Sequence, residues 1–283
     1  MIQQRTADLH IHSCFSDGTD TPEEIVALAA AKQLSAVAIT DHDAIEGLSE
    51  AKAAGERHQV EVLAGIELSA EAQKREIHIL GYAFDPQNQQ LLGHLNRFRE
   101  IRRERGREMI KKLRALGLSR LDFDEMEQQL GADQALGRPH VAAMLVEKGY
   151  VKTTAEAFER FIGEGGEGYV PKFKQSPREA IRVIRDAGGV AVMAHPIVTA
   201  RDELIPGFAA DGLQGLEVYY PRSSPAVIRY YEQLADKYDL IRTGGSDAHG
   251  RFRKYSPIGM VRVDYQAVEQ IKQAAEYSGR REL

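Results

Sequence analysis

Short apolar segments alternate with longer amphipathic segments over most of the chain. Six of the apolar segments are almost uninterrupted by polar residues, as in strands covered on both faces. They are residues 6–11, 36–40, 60–68, 77–82, 190–194 and 216–220. Residues 240–243 and 259–263 are two further candidates. Strands that alternate with helices predict a parallel α/β arrangement with right-handed connections. About seven such units would close a barrel, with a site at the carboxyl ends of its strands.

Two of the amphipathic segments begin with the same signature. Thr21 precedes Pro22, and a glutamate follows at position 24; Ser176 precedes a proline, and Glu179 completes the pattern. A hydroxyl at the N-cap and a glutamate three residues later can satisfy each other's backbone N–H groups, and proline fits the first helical position. Both segments are therefore predicted to be helices.

The connection between the third and fourth apolar segments, residues 71–76, is too short and too polar for a crossover helix. It predicts a hairpin, since only antiparallel strands can be joined by a tight turn. A hairpin would bring His78, near the start of its second strand, next to Glu67, near the end of its first.

A long, highly charged helix is predicted from about residue 88 to 116, and short helices are predicted over residues 118–168. The long helix interleaves glutamates with many arginines. This pattern could be a nucleic-acid-binding stripe, but we favour a solvated helix with ion pairs such as Glu100–Arg103. Because residues 100–168 break the strand–helix alternation, we interpret them as a helical insertion.

Composition narrows the class of protein. The chain has 283 residues, is 43% hydrophobic and carries a net charge of −5, which argues against binding nucleic acid by bulk electrostatics. No apolar run approaches the roughly 20 residues needed to span a bilayer.

We expect no signal peptide, because the first residues lead straight into a strand. Cys14 is the single cysteine. A cytoplasmic, reduced location is therefore predicted.

Histidine and acidic residues gather where the apolar segments end. His10 and His12 are two positions apart, so in a strand both imidazoles face the same side. Taken alone, a His-x-His pair is more often a polar strand face than a metal site. The full set contains six of the nine histidines and three carboxylates: His10, His12, Asp17, His42, Glu67, His78, His195, Asp247 and His249.

Such a set is costly to bury unless cations compensate the carboxylates. Imidazole and carboxylate together suit divalent metal ions, and nine candidate ligands are too many for one ion, so two or three ions are predicted. Mixed nitrogen and oxygen ligation favours manganese, iron or zinc over calcium or magnesium. The lack of cysteine ligands argues against a structural zinc site.

The order of these motifs resembles that of the polymerase and histidinol phosphatase (PHP) family, which is related to the amidohydrolases. The motifs are His-x-His, Ser-Asp-Gly at residues 16–18, Thr-Asp-His-Asp at 40–43, Gly-Ile-Glu at 65–67, a later His-Pro at 195–196 and Gly-Ser-Asp-Ala-His at 245–249. The resemblance implies a distorted (β/α)7 barrel formed by residues 1–99 and 169–283. Residues 100–168 would then be a helical cap domain.

The resemblance also implies a trinuclear centre, with Mn²⁺ as the first choice and Fe²⁺ or Zn²⁺ as alternatives. One ion would be held by His10, His12, Glu67 and Asp247. A second would share Glu67 and add His78 and His195. The third would take Asp17, His42 and His249.

Two segments, 137–142 and 169–172, look like those of a subgroup that removes the 3′-phosphate from nucleoside 3′,5′-bisphosphates. The implied reaction is attack of a metal-bound hydroxide on phosphorus. Asp43, beside His42, is a candidate for proton handling, or alternatively a partner that orients a ligand. The candidates for binding the phosphate that stays on the substrate are Arg138, His140, Lys172 and Arg222.

Other activities are left open by these residues. The same pocket would serve a 5′–3′ exonuclease on short 5′-phosphorylated oligonucleotides, a histidinol phosphatase, or, less simply, an enzyme that cleaves C–N bonds. A non-catalytic, metal-stabilised PHP module is the alternative from a different class. The expected partners are a nucleotide substrate and short oligonucleotides, with no membrane and no obligate protein partner.

Overall fold

The structure, a computed structural model, describes residues 4–130, 136–171, 175–253 and 255–279. The chain folds into two compact units, one of Met1–His94 with Lys174–Leu283 and one of Leu95–Phe173. The sequence placed the corresponding boundaries at residues 100 and 168, and the identity of that segment as a cap domain stays a prediction. Lys172 lies outside the described residues.

Eight strands are present in the described residues: β1 (Thr6–Ile11), β2 (Ala36–Ile39), β3 (Glu61–Ala72), β4 (Arg75–Tyr82), β5 (Val190–Met193), β6 (Gly215–Tyr219), β7 (Ile241–Gly244) and β8 (Val263–Asp264). The α-helices up to residue 115 are α1 (Pro22–Ala31), α2 (Leu48–His58) and α3 (Gln89–Ala115). The second unit continues with α4 (Phe123–Leu130), α5 (Arg138–Glu147), α6 (Thr154–Ala157) and a π-helical turn (Phe158–Ile162). The first unit then resumes with α7 (Pro177–Asp186), α8 (Pro196–Thr199), α9 (Ile205–Ala210), α10 (Pro225–Lys237) and α11 (Gln266–Gly279), together with two 3₁₀ turns (Asp202–Leu204 and Gly250–Arg253).

The strands form one sheet in the order β7-β6-β5-β4-β3-β2-β1-β8. Beyond β7 the chain returns to β1, where Ile11 and Ala248 form a parallel bridge. The Tyr82 hydroxyl of β4 donates to the Leu9 carbonyl of β1 at 2.7 Å, although these strands are three places apart in the sheet. The contact therefore crosses the interior of a nearly closed barrel with helices around it. This confirms the predicted distorted (β/α) barrel.

The predicted hairpin is also confirmed. Strand β4 is antiparallel to both β3 and β5, whereas the pairs β1–β2, β2–β3, β5–β6 and β6–β7 are parallel. The polar segment 71–76 is mostly strand, and the turn is confined to Gln73 and Lys74, both at positive φ. The last predicted strand, residues 259–263, was placed too early. Only Val263 and Asp264 pair, antiparallel to β1, because residues 257–260 form a turn.

Both predicted helix starts have the expected caps. Thr21 accepts a hydrogen bond from the Glu24 N–H, and the Glu24 carboxylate accepts one from the Thr21 N–H. Ser176 and Glu179 exchange the same pair of bonds at the start of α7. These caps fix where α1 and α7 begin, and therefore how long the loops are that precede them.

In the second unit, the charged side of α3 contains the expected ion pairs. Arg103 contacts Glu100 at 3.0 Å and also Glu127 of α4. The apolar side, with Met109 and Leu113, packs into a cluster of this unit's own buried residues. Within the described ranges, no helix combines the length and the apolar character needed to cross a bilayer.

Gly245, which follows β7, packs directly against β1. A Cβ atom at this position would collide with the backbone N and the Cβ of His10. We expect Gly245→Ala to lower the free energy of unfolding by about 1–3 kcal/mol, because the collision involves backbone that cannot move alone. The measurement is urea unfolding followed by circular dichroism.

Gly93→Ala is the matched control, because a Cβ atom there meets nothing within 4 Å. Gly93 lies inside α3, so alanine should stabilise the helix by about 0.5–1 kcal/mol. If Gly245→Ala proved as stable as the wild type, the result would contradict the close contact between Gly245 and β1.

Candidate metal centre

The structure brings all nine sequence-predicted ligand side chains to one end of the barrel. Hydrogen bonds that continue the strand ladders past the ends of the strands place them there. The Asp247 N–H bonds to the His10 carbonyl, and the His12 N–H bonds to the Ala248 carbonyl. His42 and Glu67 form a parallel bridge. Neighbouring strands thus carry their polar residues to the same level, as expected for carboxyl ends of parallel strands.

The pairing of β1 with β2 has an irregularity between Asp8 and Ile11. Leu9 packs in the cluster shared with β4 and β5, whereas Ile11 packs in a separate cluster with α1. A bulge of this kind re-aims side chains beside functional sites. His10 lies within this irregular stretch and His12 just after it, and both face the same side, as predicted, with their Nε2 atoms 3.2 Å apart.

The first group of donors is almost completely buried. The Nε2 atoms of His10 and His12 lie 3.4 and 3.2 Å from Glu67 Oε2. They lie 3.6 and 3.4 Å from Asp247 Oδ1. Four ligand atoms placed tetrahedrally at about 2.1 Å from an ion are separated by about 3.4 Å. The spacing of the His10, His12 and Glu67 atoms therefore matches one divalent cation, and Asp247 Oδ1 lies close to both imidazole nitrogens.

Glu67 links this group to a second one. Its Oε1 lies 2.9 Å from His78 Nδ1 and 3.1 Å from His195 Nε2. Its Oε2 also lies 3.1 Å from His42 Nδ1. Only 1% of the Glu67 side chain is exposed. This single buried carboxylate therefore lies close to ring nitrogens of five histidines while almost no solvent reaches it. The hairpin prediction that His78 adjoins Glu67 is confirmed.

The third group surrounds Asp17 at the more open side of the site. Asp17 Oδ1 lies 3.3 Å from His249 Nε2 and 3.5 Å from His12 Nδ1. Asp17 Oδ2 lies 3.8 Å from His42 Nε2. The Asp17 side chain is 40% exposed, so this group is the one that solvent reaches most easily.

Several buried ring nitrogens support the interpretation as metal ligands. Among the described residues, His12 Nδ1, His42 Nδ1 and His249 Nε2 have no partner with hydrogen-bond geometry, although carboxylate oxygens are close. Buried polar atoms are seldom left in this state. Buried ring nitrogens that lie close to carboxylates and yet lack a hydrogen-bond partner are typical of a site for cations. The residues therefore fit divalent metal ions.

The electrostatics of the site point the same way. Burial disfavours the charged form of His12, but its hydrogen bonds to Asp247 and Glu67 outweigh this and raise the pKa of His12 to about 10. Burial also lowers the pKa of His78, but the Glu67 carboxylate outweighs this effect and raises the pKa of His78 to about 9. At His42 burial prevails over the attraction of Glu67 and lowers the pKa to about 3.

Burial should raise the pKa of Glu67, yet the surrounding histidines hold it well below its usual range. The carboxylate thus stays ionised and is balanced by protons on the imidazoles. Imidazole ligands bind metals in their neutral form, so divalent cations would replace these protons.

Three buried carboxylates to which the sequence analysis assigns no role support the ligands. Asp8 accepts hydrogen bonds from the backbone N–H groups of Ser246 and Gly259, which ties the loop after β7 to β1. Asp41 accepts from Ser13 and Ser16 in the loop that carries Asp17. Glu217 contacts His10 Nδ1. For Asp8 and Glu217 the available signal was an acidic residue inside an apolar strand, which is rarely buried without a partner.

The remaining predicted site residues have different surroundings. The Asp43 carboxylate accepts from the Ser69 N–H at 2.9 Å, which holds β3 in place. Arg222 is exposed and lies over the Tyr255 ring. In the second unit, the Arg138 guanidinium lies 5.4 Å from the centre of the Phe158 ring, and His140 Nδ1 accepts from the Gly137 N–H. The substrate-binding roles of these residues stay predictions.

A nearly closed α/β barrel with clustered histidines and carboxylates at its strand ends defines a class of metal-dependent hydrolases. Comparison with known proteins narrows the class. The family model "PHP domain" matches residues 8–111. A solved structure from Bifidobacterium adolescentis, described as a candidate metal-dependent phosphoesterase, superposes with a TM-score of 0.82 and 33% identity. The match covers 95% of this chain and 96% of that one.

Three curated relatives are similar over most of their length. A 3′,5′-nucleoside bisphosphate phosphatase of Chromobacterium violaceum is 37% identical over 86% of both chains. A 5′-3′ exoribonuclease of Haemophilus influenzae is 33% identical over 86% of this chain and 89% of its own length. A phosphoribosyl 1,2-cyclic phosphate 1,2-diphosphodiesterase of Eggerthella lenta is 32% identical over 89% of this chain and 97% of its own length. The chain belongs to the PHP family, and these relatives support a metal-dependent phosphoester hydrolase.

Divalent metal should stabilise the fold, because it replaces protons among buried carboxylates. At about 100 times the dissociation constant, each bound ion adds about 2.7 kcal/mol to the free energy of unfolding. For a chain of this size that corresponds to a rise in melting temperature of roughly 5–10 °C. The melting temperature is measured by differential scanning fluorimetry of chelator-treated protein with and without Mn²⁺ or Zn²⁺. An unchanged melting temperature with each metal would contradict the site.

Glu67→Gln should lower metal content and turnover together, because the neutral amide cannot compensate cations in two donor groups. We expect fewer ions per chain by elemental analysis and a loss of turnover of at least about 100-fold. Glu71→Gln is the control, since Glu71 lies on the same strand and outside the three donor groups. Equal metal content in both variants would remove Glu67 from the centre.

Proposed function

We propose that the protein hydrolyses the 3′-phosphate of nucleoside 3′,5′-bisphosphates and leaves the 5′-monophosphate. The observation that carries this proposal is the shared position of Glu67 between two groups of buried donors. Such an arrangement suits a pair of ions acting on one phosphate. The similarity to the C. violaceum phosphatase, over most of both chains, supports the choice of substrate.

The proposed ligands divide as the resemblance implies: His10, His12, Glu67 and Asp247 for one ion, His78 and His195 with Glu67 for a second, and Asp17, His42 and His249 for a third. Mn²⁺ is the proposed metal, because mixed imidazole and carboxylate ligation suits it. Bound cations would neutralise the phosphate dianion and lower the pKa of water at the site.

The chain's own residues orient these groups and control access. The ring of His195 lies against the Tyr220 ring, and the Tyr220 hydroxyl donates to Asp247 Oδ2 at 2.6 Å. This bond leaves Asp247 Oδ1 facing His10 and His12. Asp17, with 40% of its side chain exposed, marks the side from which a phosphate ester would enter. Asp43 remains the candidate for proton handling.

Selectivity for a bisphosphate requires a cationic group for the phosphate that is not cleaved. Arg138 and His140, together with Lys172 and Arg222, are proposed for this role. Arginine offers a planar fork of donors that matches phosphate oxygens. The Arg138 guanidinium also lies 5.9 Å from the centre of the Tyr169 ring, so aromatic contacts on the described chain restrict its orientation.

A second candidate function is 5′–3′ removal of nucleotides from short 5′-phosphorylated oligonucleotides. The similarity to the H. influenzae exoribonuclease favours it. Both reactions break a bond at a 3′-phosphate while a 5′-phosphate remains bound. The same cationic group would therefore serve both substrates.

A direct comparison of substrates tests the proposal. Purified protein loaded with Mn²⁺ would be given adenosine 3′,5′-bisphosphate, a 5′-phosphorylated trinucleotide, histidinol phosphate and p-nitrophenyl phosphate. Product analysis should show the bisphosphate converted to AMP and inorganic phosphate with the highest kcat/KM. Preference for the trinucleotide would favour the exonuclease, and a protein that binds metal but cleaves none of them would be a non-catalytic module.

Arg138→Ala should mainly raise KM for the bisphosphate and spare p-nitrophenyl phosphate, which has one phosphate only. A lost charge-assisted hydrogen bond of about 1.5–3 kcal/mol corresponds to roughly a 10- to 100-fold rise in KM. Arg120→Ala is the matched control, because Arg120 also lies over an aromatic ring, that of Tyr150. Equal losses on both substrates would exclude Arg138 from selectivity.

A further inference from the structure

Glu217 is a buried glutamate of β6 that is not among the nine proposed ligands. It is 1% exposed, and its neighbours along the strand, Leu216 and Val218, are apolar and buried. Both of its carboxylate oxygens have a specific partner. Oε1 lies 2.9 Å from His10 Nδ1, and Oε2 accepts a hydrogen bond of 2.7 Å from the His195 backbone N–H.

The contact with His10 decides which ring nitrogen faces the metal centre. A carboxylate only accepts, so the His10 Nδ1 atom carries the proton. The lone pair of the neutral ring is then on Nε2, the atom that lies near His12, Glu67 and Asp247. A ligand histidine whose other nitrogen donates to a carboxylate is held in one tautomer and one orientation.

The contact with His195 acts on the backbone. His195 has φ of 27°, a value that non-glycine residues adopt rarely and at a cost. It stands at the junction between β5 and α8. A hydrogen bond from its N–H to Glu217 stabilises this conformation, in which Nε2 lies 3.1 Å from Glu67 Oε1. Glu217 thus restrains both His10 and His195.

These two histidines belong to different donor groups of the centre. Their rings are nearly parallel, with centroids 5.8 Å apart and planes inclined by 22°. Glu67 joins the two groups through the nitrogens that would bind metal. Glu217 joins the same two residues through the atoms that would not. His10 and His195 therefore lie between two buried glutamates: Glu67, which shares the proposed metal sites with them, and Glu217, which orients them.

We infer that Glu217 is a positioning residue that fixes the His10 tautomer and the His195 backbone together, and so couples the two ion positions that share Glu67. The inference rests on the proposed metal centre. It predicts that loss of Glu217 weakens both of these positions and spares the one around Asp17.

Glu217→Gln tests the inference sharply, because a glutamine has a single accepting oxygen. It can serve one of the two N–H donors and must present its NH₂ group to the other. We expect Zn²⁺ affinity at the two coupled positions to fall about 10- to 100-fold, as is typical for partners of metal ligands. Titration against a chromogenic chelator measures affinity and stoichiometry. With limiting metal, kcat should fall more than KM rises.

Glu232→Gln is the matched control. Glu232 accepts a hydrogen bond of 2.9 Å from Tyr219, two residues after Glu217, and it lies outside the donor groups. It should bind Zn²⁺ like the wild type. Nitrogen-15 NMR of histidine in the zinc-loaded wild type adds a readout that needs no variant. It should show His10 with its proton on Nδ1 and zinc on Nε2.

The outcomes separate the inference from the proposal on which it rests. Wild-type affinity and stoichiometry in a folded Glu217→Gln variant would overturn the role of Glu217 alone. If that variant does not fold, zinc on His10 Nδ1 in the wild-type spectrum would also overturn it, and zinc on Nε2 with a proton on Nδ1 would support it. A wild-type protein that binds no Zn²⁺ or Mn²⁺ would overturn both the centre and the inference.

Discussion

The structure depends on one constraint, which is that the buried carboxylate of Glu67 must be compensated. Five histidines approach it from four strands or their ends, and their contacts keep it ionised in a place where burial alone would favour its protonated form. Charge of this kind is tolerated inside a protein only with close partners of opposite sign.

The barrel meets the requirement through its hydrogen-bonding ladders. Segments that continue β1, β2 and β7 remain paired with their neighbours beyond the regular strands, so His42 lies beside Glu67 and Asp247 lies beside His10. Other buried acids, such as Asp8 and Asp41, bind backbone N–H groups and hydroxyls and hold the loops. One end of the barrel is therefore polar and cross-linked by hydrogen bonds, while its middle is a conventional apolar core.

Much of the fold could be predicted because the local signals agreed with the final structure. The capping residues Thr21 and Ser176 begin the helices where expected, since caps act on the nearest N–H groups and need no tertiary contact. The hairpin was predictable from the length of its connection. The last strand was misplaced because two residues pairing with an edge of β1 leave almost no periodic signal. The bulge in β1 gave no local signal either, because it depends on the register with β2.

The kinds of donor, their order and the nine residues proposed as ligands could be read from the chain alone, because so many imidazoles and carboxylates gathered at strand ends are costly to bury without cations. Which atoms face one another became clear only from the folded chain: Glu67 lies between two groups, and Glu217 contacts His10 and His195. These relations join residues up to 207 positions apart. They depend on the closure of the barrel, and no local pattern in the chain encodes that closure.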